Sequence, residues 1–258
     1  MLNKPILVSI IMSEYNTAED LLRESISSIL KQTYKNIEFI IVDDRGKNDV
    51  QKIVNTFNDS RIKVIRNKKN MGLVDSLNYA IENSNGKYIA RMDTDDYSHP
   101  ERIETQVKFL EEHPEFILVS GNAKFYDGRS IIGCSNWYGE VTANDLKKGS
   151  SHIIHPSVMM RAKELKLLGG YKNYRRCEDY ALWIEMIVSG YRCYVMDDIL
   201  IRYHLSTDDY KKRSLKTRKD FFRLLKEQYI RLNPTKLEYM KLYLKTIIAR
   251  DYTWPNNG

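Results

Sequence analysis

Gly86–Arg102 reads GKYIARMDTDDYSHPER. Tyr88, Ile89 and Ala90 make a short apolar run of the kind that fills a buried strand. Asp93, Asp95 and Asp96 follow within four residues. Acids this dense do not belong inside a strand, because neighbouring like charges repel and Asp has poor β-propensity. At a strand end they form a hard-oxygen site that a divalent cation neutralises. A cation held by one or two carboxylates and by substrate phosphates is the magnesium-type arrangement. The plainer alternative is a polar turn with three solvated acids. Pro100, just beyond, can open a helix at its first position.

Upstream of this stretch, strands and helices alternate. Ile6–Met12 is a near-continuous apolar run, the pattern of a parallel strand buried on both faces. Ser13–Asn16 ends it, and Thr17 with Asp20 makes an imperfect capping box. Leu21, Leu22, Ile26, Ile29 and Leu30 fall on one helical face. Strands are predicted at Phe39–Val42 and Ile62–Ile65, and helices through Val50–Phe57 and Leu73–Ile81. The result is an α/β, doubly wound, mostly parallel sheet. Such sheets bind ligands beyond the carboxyl ends of their strands. Those ends carry Ser13–Asn16, Asp43-Asp44 and Asp93–Asp96, so the polar residues fall where the fold puts a site.

Downstream, the pattern is less regular. It predicts a helix through Ile103–Leu110, a strand at Ile117–Ser120, and a hairpin around Asp127-Gly128 within Lys124–Trp137. It then predicts a strand entered from a loop at His155–Arg161, a turn at Gly169–Tyr171 and a helix at Glu178–Val188. Arg192–Met196 and Ile199–Tyr203 read as two edge strands. From Asp208 the chain reads as helical, basic and aromatic.

The 258 residues suffice for one large α/β domain or two small ones. No run of about 18 apolar residues occurs, and Met1–Met12 lacks the pattern of a signal peptide. The expected location is therefore cytoplasmic. Cys134, Cys177 and Cys193 are odd in number and far apart, which fits neither a disulfide framework nor a zinc site. A net charge of +7, concentrated near the C-terminus, favours an anionic partner.

Taken in order, these elements resemble the family 2 glycosyltransferases, enzymes of the GT-A fold. The matching pieces are Val8–Asn16, Gln32-Thr33-Tyr34, Val42-Asp43-Asp44, Asn70-Met71-Gly72-Leu73 with Leu77-Asn78, Gly86–Asp96, and Glu178-Asp179 with Leu182-Trp183. A lone DxD motif is weak; the ordered set is strong. The resemblance covers roughly residues 5–205. It implies a nucleotide-binding half, 1–97, and an acceptor-binding half, 98–205, followed by a basic helical extension, 206–258. It also implies a nucleotide-sugar donor, a divalent cation (Mn2+ or Mg2+) and inversion at the anomeric carbon. Bacterial enzymes of this look build surface polysaccharides such as capsule or O-antigen. Two departures stand out: Arg45-Gly46 replaces the usual Gly-Ser, and Glu14 takes a position more often apolar or small.

Roles can be assigned on this frame. Tyr15 is placed to stack on a pyrimidine, and Ser13 to bond the nucleotide. Asp43 or Asp44 can accept the uracil N–H, which favours a UDP-sugar. Asn70 and Thr94 belong to the same nucleotide-sugar set. Asp93 is expected to reach the ribose or the metal, and Asp95 to ligate the metal. Arg91 and Asp96 would meet the sugar or orient the loop, and His204 would touch the metal or phosphate. Asp179 is the expected general base, since inversion by direct displacement needs one carboxylate on the acceptor side. Glu178 beside it can raise its partner's pKa. Glu178, Trp183, His155 and Asp96 form the expected acceptor side.

Each role has a plainer competitor. Ser13 and Tyr15 can be strand-end packing, Asp43-Asp44 a turn pair, Glu178-Asp179 a helix-dipole pair, Trp183 core, and His155 and His204 structural. Lys211–Lys226 has the composition of a membrane-surface helix, and equally of a solvated helix with a buried apolar stripe. Acceptors of such enzymes are often lipid-linked, which favours the inner face of the membrane. Two other functions compete. A nucleotidylyltransferase usually needs a Gly-rich loop after the first strand, and Ser13–Asp20 has no glycine. A nucleic-acid-binding protein would suit the charge, but no such motif occurs.

Overall fold

The computed structural model describes residues 6–205 and 215–248. The first half alternates as β1 (Val8–Glu14), α1 (Glu19–Leu30), β2 (Ile37–Asp43), α2 (Val50–Asn55), β3 (Ile62–Arg66), α3 (Leu73–Glu82) and β4 (Tyr88–Arg91). The chain continues through β5 (Tyr97–Ser98), α4 (Arg102–Glu112), β6 (Phe116–Tyr126), β7 (Ile131–Cys134), β8 (Gly139–Val141) and α5 (Ala143–Lys147). A 3-10 turn at His155–Ser157 leads to β9 (Met159–Arg161), α6 (Ala162–Leu167), α7 (Glu178–Val188) and β10 (Arg192–His204). Two further helices, α8 (Leu215–Glu227) and α9 (Lys236–Ile248), flank a 3-10 turn at Tyr229–Leu232.

A single sheet runs through both halves in the order β3-β2-β1-β4-β9-β6-β10-β5. Strands β1 to β4 pair in parallel, and β6 pairs in parallel with β10. Antiparallel β9 joins the halves between β4 and β6. The carboxyl ends of β1, β2, β4, β6 and β10 therefore open on one edge.

Period-two alternation sends the apolar residues of each central strand to two cores. Ile10, Met12, Phe39, Ile41 and Ala90 meet α1, α2 and α4 on one face. Ile11, Ile40, Val42 and Ile89 meet α3, α6 and α7 on the other. Burial on both faces explains why these strands read as continuous apolar runs.

Local corrections concern punctuation. Thr17 does not cap α1; Ala18 holds that position, and the Thr17 hydroxyl pairs with that of Thr94 at 2.6 Å. Pro100 precedes α4 rather than opening it, with Glu101 at the N-cap. Arg192–Met196 and Ile199–Tyr203 are one strand, not two edge strands. The irregularity between Val195 and Ile199 is a bulge that carries Asp197-Asp198, and β6 covers the strand along its length.

The apolar residues of α8 turn inward. Leu224 and Leu225 are fully buried, and Phe221 and Phe222 pack against the same core. Among the described side chains of α8, from Lys219 on, these apolar residues form a buried stripe. Residues 211–214 of that segment lie outside the described residues. The C-terminal helices are tied to the second half of the sheet domain by polar bonds. Tyr174 donates its hydroxyl to Glu227 at 2.7 Å, Arg231 donates to Glu185 at 2.6 Å, and Tyr229 donates to the Lys147 carbonyl at 2.6 Å.

Candidate active site

Three loops at the strand ends build the first half of the site. At the end of β1, Tyr15 is 53% exposed. Glu14 is fully buried; it accepts from the Thr17 N–H at 3.0 Å and from Asn48 Nδ2 at 2.8 Å. Burial raises its pKa above the usual carboxylate range. The residue that departed from the family pattern is thus a clamp between the β1 and β2 loops.

The Arg45-Gly46 departure is accommodated next to it. Arg45 adopts a left-handed φ of 63° and donates its N–H to Asp43 Oδ1 at 2.9 Å and Nε–H to the Asn67 carbonyl at 2.8 Å. A Cβ at Gly46 would lie 2.7 Å from the Asn16 nitrogen, so only glycine fits the close approach of the loops.

The two acids after β2 do different work. Asp44 is buried and accepts from Asn67 Nδ2 at 2.7 Å, Met71 N–H at 2.7 Å and Gly72 N–H at 2.8 Å. Both its oxygens are engaged, and they hold the loop that carries exposed Asn70. Asp43 accepts from Arg45 and pairs with Arg66 at 3.1 Å.

At the end of β4, buried Arg91 makes a two-pronged ion pair with Asp93. Asp93's carbonyl accepts from Ser25 Oγ at 2.7 Å. Asp95 Oδ2 lies 3.5 Å from His204 Nδ1, and Asp96 Oδ1 accepts the His204 N–H at 2.7 Å. Burial, then the charge of Asp93, pushes Asp95 up to about 6, while His204 opposes the shift. Asp96 is raised well above the usual range by burial and by both neighbouring acids. His204 arrives here because β10 runs beside β6, opposite Tyr126.

A second pair of acids comes from α7. Glu178 is buried, and burial followed by the charge of Asp179 pushes it up to about 7, with Arg91 opposing. Asp179 Oδ1 accepts the Tyr180 N–H at 2.7 Å. Burial raises Asp179; Arg91 lowers it and Asp93 raises it. Arg91 thus acts electrostatically on Asp93, Glu178 and Asp179 together, although Glu178 and Asp179 lie more than 80 residues further along the chain.

His155 and Tyr171 complete this side, with His155 Nε2 2.8 Å from the Tyr171 hydroxyl. Burial and the charge of Arg91 push His155 well below its ordinary range, so it is neutral. Tyr171 is fixed by Asn78, which accepts its N–H at 2.8 Å and donates to its carbonyl at 2.9 Å. A Cβ at Gly170 would lie 2.4 Å from Asn78 Oδ1, and its φ is 67°. This tie, missed in the sequence, explains the Leu77-Asn78 and Gly169-Gly170 elements together. Trp183 takes the core role that competed with acceptor stacking: it is 0% exposed and packs edge-on to His155 at 6.0 Å, so it offers no face to an acceptor.

Among the described residues, no group of three or more His, Cys, Asp or Glu converges as a metal site. Two donors do converge, Asp95 Oδ2 and His204 Nδ1, the latter buried without a hydrogen bond. A raised carboxylate beside an unpaired imidazole nitrogen suits a cation whose other ligands are substrate phosphates. Both oxygens of Asp93 are taken by Arg91.

Residues 9–168 match the profile described as Glycosyl transferase family 2, and the chain belongs to that family. It is 37% identical over 213 residues to EpsE of Bacillus subtilis (strain 168), named as a glycosyltransferase, over 80% of this chain and 76% of that one. It is 34% identical over 188 residues, 71% of each chain, to the Escherichia coli UDP-Glc:alpha-D-GlcNAc-diphosphoundecaprenol beta-1,3-glucosyltransferase WfaP. Its fold matches S. aureus TarS 1–349 in complex with UDP-GlcNAc, with a TM-score of 0.75 at 20% identity, over 95% of this chain and 73% of that one. The fold is GT-A.

Proposed function

We propose that the protein moves a sugar from a UDP-sugar to a saccharide or lipid-linked saccharide acceptor, with inversion, in surface-polysaccharide synthesis. One observation carries the reading. Buried Arg91 pairs with Asp93 at the acid-bearing end of β4, and its charge also reaches the Glu178-Asp179 pair of α7.

The halves divide the work. Residues 1–97 hold the donor, with Ser13 and Tyr15 at the base, Asp43 meeting a uracil N–H once Arg66, itself exposed, swings off its Oδ2, and Asn70, Thr94 and Asp93 nearby. Asp44 shapes that pocket from within, since its oxygens are already engaged. Residues 98–205 hold the acceptor, with Asp179, Glu178, Asp96, His155 and Tyr171 lining it. The acceptor hydroxyl attacks the anomeric carbon opposite the diphosphate, the bond from that carbon to the diphosphate breaks, and the hydroxyl proton passes to Asp179. Glu178 is partly protonated near neutrality, which leaves Asp179 the better base. Asp95 and His204 would hold Mn2+ or Mg2+ together with the donor phosphates. When bound, the cation neutralises charge on the leaving diphosphate as a Lewis acid.

A lipid-linked acceptor puts the enzyme at the cytoplasmic face of a membrane, and the name of the E. coli relative is consistent with such an acceptor. The test is diphosphonucleoside release across nucleotide sugars, with and without manganese. Manganese-dependent release from a UDP-sugar is expected. Tighter GDP than UDP binding in competition would overturn the uridine assignment.

A further inference from the structure

Helix α9 is apolar on two faces. Its inner face packs Tyr239, Leu242 and Tyr243 against the protein core. Its outer face presents Leu237, Met240 and Leu244, which are 64%, 42% and 43% exposed. These residues repeat at three and four positions, one row along a helix. Exposed Lys236 and Lys241 flank them. An apolar row left exposed on a helix whose inner face is already packed marks a surface that something covers.

The charge on this face selects what covers it. Glu238 is the sole acid of α9, and its carboxylate accepts from the Thr235 N–H at 2.6 Å and Oγ1–H at 2.8 Å. It is spent on capping the helix. Among the described residues, neither Lys236 nor Lys241 has an ion pair. A second copy docked on this face would set one lysine row against another, which is repulsive. An anionic lipid surface takes the apolar row into its headgroup boundary and the lysines onto its charge.

We propose that the outer face of α9 rests on an anionic membrane. The placement is consistent with the acceptor side. Tyr174, bonded to α8 through Glu227, stands four residues before Glu178. Gly149, where a Cβ would lie 2.8 Å from Leu242, belongs to the segment leading to His155. Helix α9 thus packs, through its inner face, beside the segment that leads to His155. Why the enzyme would need it rests on the lipid-linked reading above; the contact itself does not.

The test is sedimentation of the full chain with vesicles of phosphatidylcholine alone and of phosphatidylcholine with phosphatidylglycerol, at low and high salt. The parent should bind the anionic vesicles and be released by salt. The variant L237E/M240E/L244E should lose binding more than about tenfold while its melting temperature and UDP affinity stay at parent values. If it does not fold, K236E/K241E read in the same way decides, with a smaller loss expected. Parent-like binding of a folded variant overturns the proposal. So does equal binding of the parent to neutral and anionic vesicles, or a dimer of the parent that the triple variant dissolves. Vesicle binding without any UDP affinity would sink the proposed activity and leave the membrane face standing.

Discussion

Asp179→Asn separates an enzyme from a binder of nucleotide sugars. Asn keeps the shape and still accepts the Tyr180 N–H that fixes the start of α7. It removes the basicity. Loss of a general base slows a reaction by about 10²–10⁴, or about 2.7–5.4 kcal/mol of transition-state stabilisation. The fold should not suffer, because the lost charge was buried and raised in pKa. The structure adds a second readout. Asp179's charge is the second cause holding Glu178 near 7, after burial. Asp179→Asn should therefore lower the Glu178 titration without returning it to an ordinary value, since burial remains. Transfer is measured as UDP release with acceptor, donor affinity by calorimetry, and the titration by NMR of labelled glutamate. Turnover near normal would refute Asp179 as the base. Lost UDP affinity would place Asp179 in the donor site. An unmoved Glu178 titration would refute the coupling.

Glu178→Gln should stabilise the free protein by about 3 kcal/mol at about pH 8, from a shift of 4.5 to about 7. A raised carboxylate gives stability that is present below its unfolded pKa and lost as pH rises through its folded one. The gain should therefore vanish below about pH 4.5 in denaturant titrations, and a gain independent of pH would contradict it. Asp44→Ala leaves the Asn67, Met71 and Gly72 donors without their acceptor. It should cost about 3 kcal/mol or more by chemical denaturation, with UDP affinity falling as the loop loosens; a loss below about 1 kcal/mol would show the loop is held elsewhere. Asp95→Ala should remove the manganese dependence of UDP binding in calorimetry and leave the melting temperature near the parent value. Unchanged affinity with manganese would remove Asp95 from the cation site.

Much of the fold was legible because its signals are local. Continuous apolar strands, helical faces such as Leu22-Ile26-Ile29, and Asp-rich strand ends each follow from short-range physics. Helix α7 was read with its observed bounds, Glu178–Val188. Errors fell where tertiary contact overrides local preference. Thr17 is an apt cap by composition, yet its hydroxyl pairs with Thr94, 77 positions away. The Asp197-Asp198 interruption reads as a strand break, and only pairing with β6 turns it into a bulge.

The sequence by itself determined the doubly wound sheet, the edge where its acids gather, and the acid pair at the head of α7. Those are statements about which residue types occur in which order. The tertiary structure decided partnership. It gave Asp44 to a loop and Asp93 to Arg91, put Glu14 inside as a clamp and Trp183 in the core, and left His204 facing Asp95. It also turned α8's apolar stripe inward and left α9 with an apolar row outside. Partnership depends on distances between residues far apart in the chain, and these arise only when strands and helices pack.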